Sequence, residues 1–231
     1  MKLQNETAEV AGRRHGKWYD DACGTAFAME LVGERWSLLI VRELLLGPRR
    51  FTDLRGGLPG ISAKVLTERL ESLEAAGILT RRHLPAPASA QVYELTPWGY
   101  LAEEPVKVLG AWAARSPRHD PTLPLSSASL MISFRTMFDA ARAGKAAVRI
   151  HLRIAGEDFR ARIRKGALTA ERGVPDKPDA VITAPTAMPI AALVYGKVPA
   201  EALAEAGLAV EGDGAALARF VDCFHLPDKC A

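Results

Sequence analysis

Nine lysine and arginine side chains fall between Arg35 and Arg82, against five acids: Arg35, Arg42, Arg49, Arg50, Arg55, Lys64, Arg69, Arg81 and Arg82. Guanidinium and ammonium groups at this density suit one chemistry well, the neutralisation of phosphates and donation to base edges. They also serve to solvate a helical surface, so placement decides between the two. Arg49 and Arg50 precede a short helical pattern, Lys64 falls in the first turn of the next, and Arg81-Arg82-His83 lead into a strand pattern. At the exposed start of that second helix stand Ser62, Ala63, Lys64, Thr67 and Glu68. The polar members of this set can hydrogen-bond base edges or phosphates. The formal charge of the whole chain is only +3, too small a bias to point to nucleic acid by itself.

Other reactive side chains are sparse. Cys23, Cys223 and Cys230 are too few and too scattered for a disulfide framework, and they suit a reducing compartment. Cys23 stands at the head of an apolar helical pattern, where amide dipoles lower a thiol pKa; Asp20 and Asp21 oppose that effect. It is therefore a candidate redox site. Cys223, His225 and Cys230 lack the paired spacing of a zinc site and read as a frayed tail, so no metal is expected. The absence of a nucleophile elbow, a phosphate-binding glycine loop or a paired metal motif argues against an enzyme, and no cofactor is implied. The longest apolar stretch, Ala187–Tyr195, contains Pro189 and is far shorter than the ~20 residues of a membrane helix. With no apolar leader at the start, the reading is a cytoplasmic protein without membrane contact.

The elements that must position these groups follow from periodicity. Ala22–Val32 reads as a short helix stopped by Gly33, and Glu34–Leu46 as another stopped by Gly47-Pro48. Phe51–Gly56 is a short helix; Leu58-Pro59-Gly60-Ile61 is a turn. Ser62 is the expected N-cap of a helix running to Ala76, with Val65, Leu66, Leu70 and Leu73 on its apolar side. Ile78–His83 and Gln91–Leu95 form a hairpin across the loop Leu84–Ala90. A long helix from Pro97 to Arg115 is expected to kink at Pro105. Helix, short helix, turn, amphipathic helix and hairpin are the parts of a winged helix-turn-helix.

Ordered residues make this more specific. The run Glu34-Arg35-Trp36-Ser37-Leu38-Leu39-Ile40 through Phe51-Thr52-Asp53-Leu54, the run Leu58-Pro59-Gly60-Ile61-Ser62 through Arg69-Leu70, and Tyr93-Glu94-Leu95-Thr96-Pro97-Trp98-Gly99 resemble the HxlR family of bacterial transcription regulators over about residues 20–115. The resemblance implies a homodimer on a near-palindromic DNA operator, with DNA contacts from Arg49, Arg50, Ser62, Ala63, Lys64, Thr67, Glu68, Arg81 and Arg82. It implies dimer contacts from Ala22–Val32 and Pro97–Arg115, a sensing role for a cysteine placed as Cys23 is, and repression as the default mode. The wing loop, unlike that of the family, has no basic residue at its tip.

The second half begins after a proline-rich stretch, Ser116–Pro124. Leu130, Phe134, Met137 and Phe138 recur at helical spacing in one helix ended by Gly144. Val148–Ile154 and Phe159–Arg164 alternate as half-buried strands, with Arg149, Arg153, Arg160, Arg162 and Arg164 facing outward. Further strands, two helical stretches at 186–205 and a last helix at Ala215–Phe224 complete the half. This order resembles the sterol carrier protein-like domain over about residues 126–226. The resemblance implies an apolar tunnel between sheet and helices for a hydrophobic small molecule. Phe134, Met137, Phe138, Met188, Leu193, Phe220 and Phe224 are its candidate liners, although residue by residue plain core packing is the commoner role of such side chains.

The expected organisation is a flexible segment at 1–19, a winged helix-turn-helix and dimerisation domain at 20–116, a linker at 117–127 and a ligand-binding domain at 128–231. The fold class is α+β, the second domain a sandwich-like arrangement with a mainly antiparallel sheet covered by helices. The function read from this is a homodimeric DNA-binding regulator whose second domain senses a hydrophobic effector. The alternative is a hydrophobic-ligand carrier whose helical half mediates assembly.

Overall fold

The computed structural model describes residues 19–85 and 89–230. All but the last residue of the expected flexible segment 1–19, and residues 86–88 at the wing tip, lie outside the described residues.

The first half runs α1 (Gly24–Val32), α2 (Ser37–Leu44), α3 (Phe51–Gly57), α4 (Ala63–Ala75), β1 (Leu79–His83), β2 (Gln91–Leu95), α5 (Pro97–Tyr100) and α6 (Glu103–Ala114). Ile40, Val41 and Leu44 of α2 are buried in one core with Leu54 of α3 and Leu66, Leu70 and Leu73 of α4. Spacings of three and four residues place these side chains on one helix face. The helix expected from Glu34 starts later, because Trp36 takes a left-handed conformation at φ 82° and turns the chain before Ser37. The expected kink at Pro105 is instead a break upstream of it. The chain turns at Leu101–Ala102, and Pro105 falls in the first turn of α6, where its missing N–H removes no intrahelical bond.

Thr96 joins wing to helix. Its Oγ1 accepts from the Gly99 amide at 3.0 Å and donates to the Gly77 carbonyl at 2.8 Å. The approach is so close that a Cβ on Gly99 would lie 2.0 Å from the Ile78 carbonyl oxygen. Only glycine fits there.

The second half comprises α7 (Ser127–Met137), α8 (Ala140–Ala143), β3 (Val148–Ile154), β4 (Glu157–Arg164), β5 (Ala167–Arg172), β6 (Ala180–Ala184), α9 (Ala187–Val194), a 3₁₀ turn (Ala200–Leu203), β7 (Ala209–Gly212) and α10 (Gly214–Asp222). The single helix expected up to Gly144 is two, because Asp139 caps a new start by accepting from the Ala141 and Arg142 amides. The strands form one sheet in the order β5-β4-β3-β6-β7, antiparallel except for the β3–β6 pair. One face is buried, with Val148, Ile150, Leu152 and Ile154 of β3 and Phe159, Ala161 and Ile163 of β4. On the arginine-bearing face Arg149 pairs with Asp179 and Arg160 with Glu171, which offsets part of its charge, while Arg162 and Arg164 are exposed.

The segment 117–127, expected as a linker, runs beside a continuous contact between the halves. The buried Glu43 carboxylate of α2 accepts from Arg42 at 2.9 Å and from the Ser126 hydroxyl at 2.7 Å. Ser126 also caps α7 by accepting from the Ser129 amide. Arg135 of α7 donates to Glu103 of α6 at 2.9 Å. Glu157 lies between Arg49, bonded twice at 2.8 and 3.1 Å, and Arg172. The tail read as frayed is docked on the first half: Lys229 Nζ donates to the Ala114 carbonyl at 2.9 Å, and the Cys230 amide to the Arg115 carbonyl at 2.7 Å.

Burial raises the Glu157 pKa, but hydrogen bonds and charge from Arg49 and Arg172 outweigh it and hold the carboxyl below its ordinary value. A depressed folded-state pKa stabilises above the unfolded value, about 4.3, and that contribution is lost as pH falls through the folded value. Thermal melts of wild type and Glu157→Gln should therefore differ most near neutrality and converge as pH is lowered below about 4. A gap that stays constant from pH 7 to pH 3 would show that the carboxylate's charge does not contribute.

Candidate nucleic-acid interface and cavity

α4 is the element that presents polar groups outward. Ser62 caps it, its Oγ accepting from the Val65 amide at 3.2 Å. With Leu66, Leu70 and Leu73 turned into the core, helical geometry places Ser62, Ala63, Lys64, Thr67 and Glu68 on the exposed side. Lys64 is 86% exposed and reaches Glu68 only at 4.0 Å, so its ammonium is available to a phosphate. Arg69, one position on, is turned inward to Glu34 and the Arg35 carbonyl, which ties α4 to the turn before α2.

The arginines around α4 divide. Arg50 is exposed beside the N-terminus of α3, its amide donating to Asp53. Arg49 does not face the same surface. Its backbone pairs with Tyr93 of the wing, N to O at 2.9 Å and O to N at 2.8 Å. That pairing turns the guanidinium, only 15% exposed, onto Glu157. The expectation of a DNA contact from Arg49 is corrected accordingly: its charge is spent inside the molecule. On the hairpin stem, Arg81 is bonded to Glu74 at 2.7 Å and Arg82 to Glu94. Both remain partly exposed, but phosphate must compete with those carboxylates. The hydrogen bond that Arg81 donates to Glu74 holds the Arg81 pKa above its ordinary value. Arg55 of α3, one of the nine basic residues but not among the expected DNA contacts, is exposed. Its place within the helix-turn-helix was the available signal.

Cys23 is exposed at the N-terminus of α1. The amides of Thr25 and Ala26 hold its thiol below the ordinary value. Cys223 is buried, and burial pushes its thiol up. Among the described residues no three His, Cys, Asp or Glu side chains gather as a metal-binding set. No helix among them is long and apolar enough to cross a membrane.

A cavity of about 1040 Å³ opens between the halves. Its walls come from α6, the 117–127 segment, α7, α9, the 3₁₀ turn and the tail residue Leu226. Of the expected ligand-lining residues, Met137 and Met188 face it. Phe134, Phe220 and Phe224 do not. They are fully buried and stacked on one another, with centroids 4.8–5.7 Å apart. Leu193 is core, and Phe138 borders a smaller surface hollow of about 300 Å³ beside Glu103 and Arg135. Aromatic rings gain most from packing against each other, which leaves the cavity to smaller side chains. Those, including Gly110, Ala114, Ala192 and Gly196, carried no signal in the sequence, because small residues read as helix filler.

The model of the HxlR-like helix-turn-helix family matches residues 31–120. That of the Alkyl sulfatase C-terminal family matches residues 124–230, in place of the sterol carrier likeness read from the sequence. The HTH-type transcriptional regulator YodB of Bacillus subtilis (strain 168) is 38% identical over 86 residues, which are 37% of this chain and 77% of that regulator. An uncharacterized HTH-type transcriptional regulator of Escherichia coli (strain K12), YtfH, is 34% identical over 99 residues, 43% of this chain and 79% of its own. The solved structure of the reduced form of YodB is 35% identical, covers 42% of this chain and 98% of its own, and has a TM-score of 0.39.

Replacing Ser62 by alanine removes the cap of α4 and should lower unfolding stability by about 1 kcal/mol in urea titrations. Unchanged stability would mean that the amides of the first turn find other partners.

Proposed function

Because this chain belongs to the HxlR-like helix-turn-helix family, we propose that it is a homodimeric, sequence-specific DNA-binding regulator in which α4 enters the major groove and the second half senses a small molecule. One observation carries the reading: an amphipathic helix, capped at its start and seated on a buried core, holds Lys64, Thr67 and Glu68 outward at helical spacing. Such a helix fits a major groove, where each base pair offers its own donor and acceptor pattern. Ser62, Ala63, Lys64, Thr67 and Glu68 form the recognition surface. Arg50, Arg81 and Arg82 are the phosphate contacts.

Dimerisation is supported by apolar surface that is otherwise costly to expose. The apolar helix α1 has no buried residue, and Met29 is 40% exposed. Across α5 and α6, Leu101, Val108, Leu109 and Trp112 are exposed, Trp112 at 72%. A dimer joined there carries two copies of α4, which suits a near-palindromic operator with half-sites about 34–36 Å apart or a multiple of that. A dimer covering promoter DNA acts by exclusion, which makes repression the mode to test first. The Cys23 thiol is a candidate site of oxidation within this regulator, on the strength of its exposure and lowered pKa.

Two measurements test the reading. In mobility shifts on fragments selected from genomic DNA, wild type should bind saturably and lose affinity as salt rises. Lys64→Ala should weaken binding and reduce the salt slope by about 1. No saturable binding to any selected fragment would end the proposal. In sedimentation analysis Trp112→Glu should shift the dimer toward monomer; an unaltered dimer would place the contact elsewhere.

A further inference from the structure

The cavity lies at the seam of the two halves, so anything filling it touches both. Val106, Gly110 and Ala114 line it from α6, at spacings of four that put all three on one helix face. Exposed on the rest of that helix are Val108, Leu109 and Trp112, the surface assigned above to the dimer. Opposite stand Ala192 and Gly196, at the C-terminal end of α9. The space of about 1040 Å³ opens to solvent on one side, and clefts of this size can bury most of a small molecule's surface.

The polar groups in the walls restrict what fits. Ser133 and Tyr195 share a hydrogen bond at 2.7 Å between their hydroxyls. One proton is spent between them, so the pair keeps one proton to donate outward. Burial pushes the Tyr195 phenol up, so the pair is neutral across the physiological range. Arg42 also borders the cavity, but Glu43 takes bonds from its Nε and Nη2 and offsets its charge. Ser129, Thr136, Thr186 and His119 also border the space, so the hydrogen-bonded Ser133–Tyr195 pair is one polar feature in a predominantly apolar wall.

We infer that this seam cavity is the effector site, that it takes a neutral, mainly apolar molecule with a hydroxyl or carbonyl oxygen directed at Ser133 and Tyr195, and that its occupant acts on DNA binding by pressing the inner face of α6. The inference rests on the regulator reading above and supplies its ligand class and its route. Filling the space fixes α6 against α7 and α9, and the outer face of the same helix sets how two copies meet. Ligand and operator must then alter each other's affinity by one common factor.

The test uses the full chain and N-phenyl-1-naphthylamine, a neutral apolar fluorophore. Wild type should bind it saturably at one per chain, and dodecan-1-ol should displace it. Gly110→Leu and Ala192→Leu fill the cavity from opposite walls and should each weaken binding by about tenfold or more. A Cβ at Gly110 meets nothing within 4 Å, and leucine favours a helix interior over glycine, so the first variant is expected to fold at least as well as wild type. Probe binding unchanged in both variants, or non-saturable in wild type, would overturn the site. Displacement by dodecanoate more than about tenfold better than by dodecan-1-ol would overturn the neutral head group. On selected DNA, dodecan-1-ol should move the wild-type mobility-shift midpoint by about fivefold or more and leave Gly110→Leu unmoved. An unmoved wild-type midpoint with the probe site intact would overturn the coupling through α6. If wild type binds no DNA at all, the regulator reading fails, while the probe titrations still decide the cavity.

Discussion

The arrangement of this molecule depends on one buried carboxylate. Glu43 sits in α2 at 2% exposure, and a charge so placed must be paired and hydrogen-bonded. Arg42 and the Ser126 hydroxyl supply the partners, and Gly57 leaves room, since a Cβ there would lie 2.7 Å from the carboxylate. Breaking such a pair by removing one partner costs about 3–5 kcal/mol, so the geometry is not easily given up. Ser126 spends the same oxygen capping α7. The orientation of α7, which carries one wall of the cavity, is therefore set from α2, which carries the core of the DNA-binding half. A proline-rich connection that would otherwise permit independent motion is overridden by this contact.

Around that anchor the seam separates polar from apolar. Glu157 with Arg49 and Arg172, and Arg135 with Glu103, hold the halves by charge; the space between α6, α7 and α9 is left to small and apolar side chains. Ion pairs are directional and fix relative orientation, whereas an apolar gap has no preferred filler of its own. The same ion pairs remove Arg49 from the DNA surface, so the phosphate-facing charge is less than the count of basic residues suggests.

The local elements were largely legible. Ser62 as a cap, the apolar side of α4, the hairpin and the alternation in β3 and β4 all follow from short-range periodicity and side-chain chemistry, and the structure has them. Departures came where one backbone angle or one cap decided: the left-handed Trp36, the turn before Pro105, and Asp139 restarting a helix. The candidate site was legible only in part. Met137 and Met188 line the cavity, but Phe134, Phe220 and Phe224 form a stacked core, because an apolar pattern does not distinguish a wall from a filling.

The basic residues between Arg35 and Arg82 thus mean two different things. By itself the sequence determined the module, the amphipathic helix α4 and the exposed Lys64, since these depend on neighbours three and four residues away. Only the tertiary structure decided that Arg49 pairs with Glu157, 108 residues distant, that Glu43 finds Ser126, and that small side chains from both halves leave a cavity between them. Those outcomes rest on which long-range partner a buried charge finds and which volumes remain unfilled after packing, and neither is written in local spacing.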